Sequence, residues 1–194
     1  MEYFDASKRT MLEKLYKPDR SFKGNVDEEA IPTIEAFNAK ENYYTTSSCS
    51  GRISLFCEAE SGRKDESGWL FVKHGTVKIE ELKNPLASLP QETVWFRQET
   101  PIFHIACRTD EGAKKLLELC RDLGFKHSGI IGKSKRVMVE IIFNNKMDVP
   151  ISGGGVLFVN EKFIKFLLKK ANARFKKNQK LLKKLEKSVN KKLL

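Results

Sequence analysis

Residues 101–124 read PIFHIACRTDEGAKKLLELCRDLG, a strand pattern that runs directly into a helix pattern. In the first part, apolar residues alternate with other residues, as in a strand whose two faces differ. One face carries Phe103, Ile105 and Cys107. The other face carries His104, Ala106 and Arg108. From Asp110 to Leu123 the apolar spacing becomes helical, and Gly124 ends the predicted helix.

Outward from this unit, the chain mixes hairpin patterns with helical ones. Helices are predicted at residues 5–16 and 27–40, the second capped by Asp27 and bent or delayed by Pro32. Strands are predicted at 52–58, 68–74, 94–99, 101–108, 128–133, 136–143 and 156–159, with the polar loop 59–67 inside the first hairpin. Without a repeat or a linker, this mixture predicts one α+β domain comprising residues 1–194.

The last segment, residues 161–194, is predicted to be a long helix that Asn160 caps. Its apolar stripe is Phe163, Phe166, Leu167, Ala171, Phe175, Leu182, Leu185 and Val189. The segment holds twelve Lys, one Arg and two Glu, which account for the whole net charge of +11. A neutral body with a basic tail indicates a polyanionic partner, with nucleic acid ahead of an acidic membrane.

The overall composition is that of a globular protein, with 40% hydrophobic and 31% charged residues. No apolar stretch reaches the length of a membrane span, and the first residues lack the pattern of a signal peptide. We therefore expect a cytoplasmic protein with no membrane association.

The four cysteines have no C-x-x-C pair, so they indicate neither a zinc ribbon nor a disulfide framework. Cys57, Cys107 and Cys120 follow apolar patterns and are predicted to be buried. Cys49 instead lies in the run TTSSCSGR at 45–52, which we interpret as a turn. Its small residues and Arg52 suit a carboxylate or a phosphate. A thiolate nucleophile at Cys49 is the alternative, although no histidine is nearby in sequence.

Two histidines have both a structural and a functional interpretation. His104 and Arg108 share a strand face, where they either meet one ligand or are merely solvated. His74 ends a strand on the face of Leu70 and Val72, opposite Trp69, Phe71 and Lys73, as a core residue or a catalyst. The glycine-containing segments 124–130 and 152–155 lack the G-x-G-x-x-G spacing of a Rossmann fingerprint, and as ordinary turns they need no ligand.

Four motifs in their order and spacing resemble one family. They are Thr45-Thr-Ser-Ser-Cys-Ser-Gly-Arg52, Gly68-Trp69 followed by His74, His104-Ile-Ala-Cys-Arg108, and Gly124-Phe-Lys-His-Ser-Gly-Ile130. With Lys23-Gly-Asn-Val-Asp27 and Pro150-Ile151, the chain from about residue 5 to about residue 180 resembles the wybutosine-pathway tRNA methyltransferases. The resemblance implies a non-Rossmann enzyme that uses S-adenosylmethionine to methylate N4 of a tricyclic guanosine derivative beside the anticodon of tRNA(Phe).

On this resemblance, the motif-matching positions receive expected roles. The expected cofactor contacts are Ser47, Ser48, Cys49, Ser50, Gly51, Arg52, Ser128 and Gly129. The expected base is His104, with His74 second. The expected substrate contacts are Arg108, Trp69, Tyr44 or Tyr43, and Lys176 and Lys177. We expect a monomer without a metal. A non-catalytic RNA-binding module and a thiol-dependent hydrolase centred on Cys49 are the alternatives.

Overall fold

The computed structural model describes residues 2–15, 26–59 and 67–193, which form two compact units. The first unit comprises Met1–Ser50, Pro101–Asn144 and Gln179–Leu194. The second comprises Gly51–Thr100 and Asn145–Asn178. Sequence analysis predicted one domain. Because the chain passes back and forth between the units, the sequence contains no single linker with a distinct composition.

Helices and antiparallel strands make up both units, which confirms the predicted α+β class. In chain order the elements are α1 (Glu2–Leu15), a 3-10 turn (Glu28–Ala30), α2 (Ile31–Asn38), β1 (Tyr43–Cys49), β2 (Arg52–Glu58), β3 (Gly68–Lys73), α3 (Glu80–Ala87), β4 (Thr93–Glu99), β5 (Ile102–Cys107), α4 (Asp110–Asp122), β6 (Gly129–Lys133), β7 (Val137–Ile142), β8 (Met147–Gly153), β9 (Val156–Leu157) and α5 (Glu161–Lys192). The first sheet has the order β1-β5-β7-β6, and the second β3-β2-β4-β8-β9. A Rossmann sheet is mostly parallel, so this architecture differs from it.

One face of the first sheet packs on helices. Phe103 and Ile105 of β5 are fully buried there, in one cluster with Leu116 and Cys120 of α4. Helix α4 begins where the Thr109 hydroxyl accepts a hydrogen bond from the Gly112 amide at 3.1 Å. It is followed by Gly124, whose φ of 84° requires the left-handed region. The sequence predicted this strand and helix correctly.

The other face of the first sheet is covered in part by α1. The Phe4 ring lies 5.0 Å from the ring of Tyr44, centroid to centroid, and both side chains are buried in a cluster with Ala106. Sequence analysis placed Ala106 on an open face with His104 and Arg108. That expectation was wrong at the centre of the strand, because α1 covers Ala106.

The second sheet also buries one face. Leu55, Phe96 and Ile151 are fully buried in a cluster that includes Leu82 of α3 and Ile164 of α5. Two hydrogen bonds, each of 2.9 Å, join the side-chain amide of Asn172 to the backbone N–H and C=O of Val77. This reciprocal pair fixes α5 to the segment before α3.

Helix α5 begins at the predicted cap, where the Phe163 amide donates to the Asn160 side chain at 3.0 Å. Its buried stripe is Ile164, Leu167, Leu168, Ala171, Phe175, Leu182, Leu185 and Val189. Phe163 and Phe166 were predicted for this stripe but are 39% and 50% exposed. Each residue turns a helix by about 100°, so these two positions fall on the lysine side.

The run 45–52 is not the predicted turn, because its residues through Cys49 belong to β1. Aromatic and β-branched residues at 43–46 favour a strand, and the following serines continue it beside β5. The interpretation of the run as a glycine-type loop gave the small residues too much weight. Only Ser50 and Gly51 separate β1 from β2.

Three further expectations differ from the structure. Leu70 is an extra residue in β3, so Trp69 pairs with Phe56 whereas Phe71 pairs with Leu55, and the two aromatic rings lie on opposite faces. Cys57 is only half-buried. Helix α3 and strand β8 were missed because each contains a proline, and residues 152–153 of the predicted glycine loop belong to β8.

Part of the predicted loop 59–67 and most of the Lys23–Asp27 motif lie outside the described residues. Within the described ranges, no helix is both long enough and apolar enough to cross a membrane.

Candidate active site

A polar row crosses the first sheet on the face that α1 partly covers. From β1 to β6 its members are Ser47, His104, Glu140 and Gly129, each paired with the next. Directly paired residues of antiparallel strands point to the same face, so the row is a continuous strip of surface. It lies beside the row containing Ala106, where the cover of α1 begins.

His104 and Glu140 form the chemical centre of the polar row. The Nε2 atom of His104 lies 3.1 Å from the Glu140 Oε2 atom, and the two side chains are 33% and 28% exposed. A carboxylate only accepts hydrogen bonds, so a neutral His104 ring carries its proton on Nε2. Its Nδ1 atom is then an acceptor, which is the state required of a general base.

A bulge in β1 determines which hydroxyl side chain of that strand lies beside His104 and Glu140. Thr45 pairs with Ile105, but Ser47 pairs with His104, which leaves Thr46 as the extra residue. The Thr46 hydroxyl donates to the His104 carbonyl at 3.2 Å. Because of the bulge, the exposed Ser47 lies beside the imidazole.

The other residues of the predicted cofactor run point in different directions. Ser48 pairs with Phe103 and therefore points to the opposite face from Ser47. Cys49 pairs with Ile102 and shares the face of Ser47. Ser50 is fully buried, and its amide donates to the Asp27 Oδ2 atom at 2.6 Å while its carbonyl accepts from Gln179. Asp27 thus fixes the end of β1, and its carboxylate makes no helix-cap hydrogen bond.

Arg108 already holds a carboxylate of its own chain. Its guanidinium donates two hydrogen bonds to Asp5 of α1 and lies 4.5 Å from the Phe4 ring centroid. The hydrogen bond from Arg108 lowers the pKa of the Asp5 carboxyl. The buried Ala106 separates Arg108 from His104 along β5, so the structure does not bring these two side chains to one open surface.

Ser128 and Gly129 lie at the other edge of the first sheet. The Ser128 hydroxyl accepts from the Ile142 amide at 3.2 Å. A side-chain carbon added to Gly129 would meet no atom within 4 Å, so the surface beside Glu140 is open. Three strand spacings, about 14 Å, separate Ser47 from Gly129.

The remaining cofactor candidates belong to the second unit. Gly51 has a φ of 88°, which suits glycine. Arg52 forms an ion pair with Glu99, and its guanidinium lies 4.2 Å from the centre of the Trp69 ring. Trp69 is 41% exposed and can meet a ligand. The fork of Arg52 therefore already binds a carboxylate of its own chain.

The remaining predicted substrate contacts and the second predicted base differ from one another in their exposure to solvent. Tyr44 and Tyr43 are 0% and 2% exposed, so both pack in the interior and are not exposed for stacking. Lys176 and Lys177 are exposed on α5. His74 follows the end of β3 and is half-buried.

Three acidic partners were missed from the sequence. Glu140 faces His104, Asp5 binds Arg108, and Glu99 binds Arg52. Glu140 offered a signal, since it is the single charged residue in the strand VMVEII. Asp5 lies 103 positions from Arg108, so no local pattern connects the two.

Comparisons with known proteins now identify the family. Residues 6–191 match the model of the family described as Methyltransferase TYW3. A relative from Thermococcus kodakarensis is 40% identical over 98% of this chain and 96% of its own length, and is named tRNA(Phe) 7-((3-amino-3-carboxypropyl)-4-demethylwyosine(37)-N(4))-methyltransferase 1. A relative from Methanocaldococcus jannaschii carries the same name without the final numeral and is 39% identical over 94% of each chain.

The mouse tRNA wybutosine-synthesizing protein 3 homolog is 35% identical over 88% of this chain and 68% of its own length. Among solved structures, the PH1069 protein from Pyrococcus horikoshii superposes with a TM-score of 0.89 at 36% identity, covering 100% of this chain and 98% of that one. The chain belongs to the methyltransferase TYW3 family.

Proposed function

We propose that this protein methylates N4 of 7-(3-amino-3-carboxypropyl)-4-demethylwyosine at position 37 of tRNA(Phe), the reaction named for its relatives. The methyl donor proposed is S-adenosylmethionine, and the compartment is the cytoplasm, where we expect the tRNA substrate. The observation that carries the proposal within this chain is the contact between His104 and Glu140 in the polar row.

The polar row suits the methyl donor in two respects. The Ser47 hydroxyl is exposed, and the surface above Gly129 is open to a flat ligand. Ser47, Cys49 and Gly129 are therefore the proposed contacts, whereas Ser50, Arg52 and Arg108 already have partners in their own unit. When bound, S-adenosylmethionine supplies an electrophilic methyl group on a sulfonium.

His104 is the proposed general base. As N4 of the substrate gains a methyl group, its N–H proton must leave, and Nδ1 of His104 is the acceptor that Glu140 leaves available. The carboxylate also stabilises the imidazolium that forms. Glu140 is thus a positioning residue, and the strand pairing of β5 with β7 holds the two together.

Trp69 and the lysines at 176 and 177 are proposed substrate contacts. Trp69 is 41% exposed, so a base can contact its ring beside the Arg52 guanidinium, and both lysines are exposed to phosphates. A structural role alone would leave tRNA affinity unchanged when these residues are replaced.

Methyl transfer from labelled S-adenosylmethionine tests the proposal directly. The acceptor is tRNA(Phe) carrying the demethylwyosine precursor, with tRNA(Phe) bearing an unmodified guanosine as the control. We expect label only in the first tRNA, at N4 of the tricycle by mass spectrometry. Binding of both tRNAs with no transfer to either would favour the RNA-binding module.

The same assay separates the hydrolase alternative. A Cys49→Ala variant keeps the backbone of β1 and should retain methyl transfer at saturating S-adenosylmethionine, because no proton or methyl passes through the thiol. Complete loss in this variant, with folding intact by circular dichroism, would favour a thiol mechanism.

A further inference from the structure

The first half of α5 presents two phenylalanines where a helix normally presents only polar residues. Phe163 and Phe166 are 39% and 50% exposed, and their ring centroids lie 6.3 Å apart. Neither belongs to the buried stripe of α5, and both rings lie on its exposed side, away from Leu168 and Phe175. Exposed aromatic pairs on a helix are costly to leave in water and often mark a binding surface.

Lysines alternate with these rings along the helix. The six residues Lys162, Phe163, Lys165, Phe166, Lys169 and Lys170 form what we call the phenylalanine–lysine strip. Spacings of three and four residues place Phe163, Phe166 and Lys170 along one line. The Lys170 ammonium lies 5.4 Å from the Phe166 ring centroid. The same spacings place Lys162, Lys165 and Lys169 along the adjacent line.

The charge of the strip is largely uncompensated. Lys165 pairs with Glu161 at 2.5 Å. Among the residues that the structure describes, no carboxylate lies within ion-pair distance of Lys162, Lys169 or Lys170. The uncompensated lysines therefore favour a polyanionic partner, and the exposed rings favour a partner that also has flat apolar faces for stacking.

We infer that the phenylalanine–lysine strip binds unpaired nucleotides of an RNA, with bases stacked on Phe163 and Phe166 and phosphates on the lysines. Single-stranded RNA offers both features together, whereas paired bases hide their faces from side chains. The inference rests on the proposed function, in which tRNA is the substrate. It adds the surface of the protein that binds the unpaired bases. Lys176 and Lys177 continue the two lines one to two turns further.

An anionic membrane would complement the positive charge of the strip but would not match the small apolar area that the strip exposes. A helix that lies on a membrane inserts a wide apolar face. In α5 that face, including Ile164, Leu168 and Phe175, is buried within the second unit. Within the described part of α5, the exposed large apolar side chains are those of Phe163 and Phe166, too few for the wide apolar face that a membrane-bound helix inserts, which favours RNA as the partner.

The test measures binding of the full-length protein to a fluorescent, unmodified anticodon stem-loop of tRNA(Phe), without cofactor. Phe163→Ala combined with Phe166→Ala should weaken binding by about 10-fold or more, with the salt dependence unchanged. Lys162→Gln combined with Lys169→Gln should instead reduce the salt slope by about 1.4, since each lost phosphate contact removes about 0.7 for single strands. Phe166→Trp should preserve affinity, because it keeps the stacking face.

Controls and contrary outcomes are equally specific. Ile131→Ala and Lys114→Gln change exposed residues of the first unit and should leave binding unchanged. The phenylalanine double variant should bind a fully paired RNA almost as tightly as the unsubstituted protein does.

Unchanged affinity of the double variant for the stem-loop would overturn the inference. Phenylalanine-dependent binding only to vesicles of phosphatidylserine would overturn it as well. Methyl transfer is assayed separately with the unsubstituted protein, so failure of the strip and failure of the proposed function are distinguishable.

Discussion

In the first unit, Tyr43, Cys107 and Cys120 are buried, and burial raises the pKa of each group to about 12. In the second unit, by contrast, the lysines of the phenylalanine–lysine strip lie exposed to solvent on α5. Ionisable groups of the first kind are kept neutral by the fold. Those of the second kind are in contact with solvent and can attract a polyanion.

The second unit contains a comparison of its own. On the outer face of its sheet, Arg97 lies 4.2 Å from the Phe56 ring centroid, but Asp148 is 3.7 Å from its Nε atom. On α5, Lys170 approaches Phe166 without a described carboxylate beside it. A cation lies near an aromatic ring both on the sheet and on α5. Arg97 on the sheet has a carboxylate partner, whereas Lys170 on α5 has none among the described residues. A cation already compensated by its own chain stabilises the fold, whereas an uncompensated one is available to a partner.

The largest expected effect concerns the polar row. His104→Ala should lower the methyl-transfer rate by about 10²- to 10⁴-fold, the usual contribution of a positioned general base. His127→Ala, which changes an exposed histidine in the turn before β6, is the matched control and should be fully active. Equal activity in both variants would remove His104 from the chemistry.

Glu140→Gln tests whether the carboxylate sets the tautomer. The variant should keep substrate affinity but lower kcat and alter the pH profile, because a neutral amide does not stabilise the imidazolium. A purely structural role for Glu140 would lower the protein's stability without moving the pH profile.

Local patterns were sufficient to predict much of the fold. Strand β5, helix α4 and the β6–β7 hairpin follow from alternation and helical spacing within short windows. The cap at Asn160 and the α5 stripe were also correct except at Phe163 and Phe166. These elements are amphipathic or half-buried, which is when a pattern is informative.

The candidate site was harder to predict, since it depends on register and long-range pairing. His104 was identified, but its partner Glu140 required knowledge that β5 pairs with β7 in one register. The bulge at Thr46 that selects Ser47 leaves no mark in composition. Prolines hid α3 and β8, because the tertiary structure overrides their usual effect as breakers.

The next prediction concerns the hydrophobic cores of the two units. Leu116→Ala in the first and Leu55→Ala in the second each remove a fully buried side chain, and each should cost about 2–5 kcal/mol in the free energy of unfolding. Both tryptophans, Trp69 and Trp95, belong to the second unit. All four tyrosines belong to the first.

Urea unfolding followed by tryptophan fluorescence and by tyrosine absorbance therefore reports each unit. If the units unfold independently, Leu55→Ala should shift only the tryptophan transition and Leu116→Ala only the tyrosine one. Coincident shifts of both probes in both variants would show that the two units unfold together.

A further prediction concerns alkaline pH. Burial raises the pKa of Tyr43 from 10.0 to about 12 and that of the Cys107 thiol from 9.0 to about 12. The folded state therefore holds protons that the unfolded state loses, so their stabilising contribution is complete below pH 9 and declines as the pH rises towards 12.

The tyrosine-reported transition should thus weaken in alkali before the tryptophan-reported one. Cys107→Ala removes one titrating group and should flatten that decline. Cys57→Ala is the control, because the thiol of Cys57 lies half-buried in the second unit. A decline that stays equally steep in the Cys107 variant would contradict burial as its cause.

The smallest expected effect is at the contact between Asp5 and Arg108. The pKa of Asp5 is lowered mainly by the hydrogen bond from Arg108, so the pair contributes while Asp5 is ionised and is lost as the pH falls through the lowered pKa. Because Asp5 is exposed, water screens much of the interaction. Asp5→Asn should speed hydrogen exchange of the α1 amides at neutral pH, while methyl transfer remains unchanged. Asp122→Asn, which breaks the exposed pair with Lys192, is the matched control and should leave α1 protection intact. If α1 exchanged equally in all three proteins, Phe4 packing alone would account for its position.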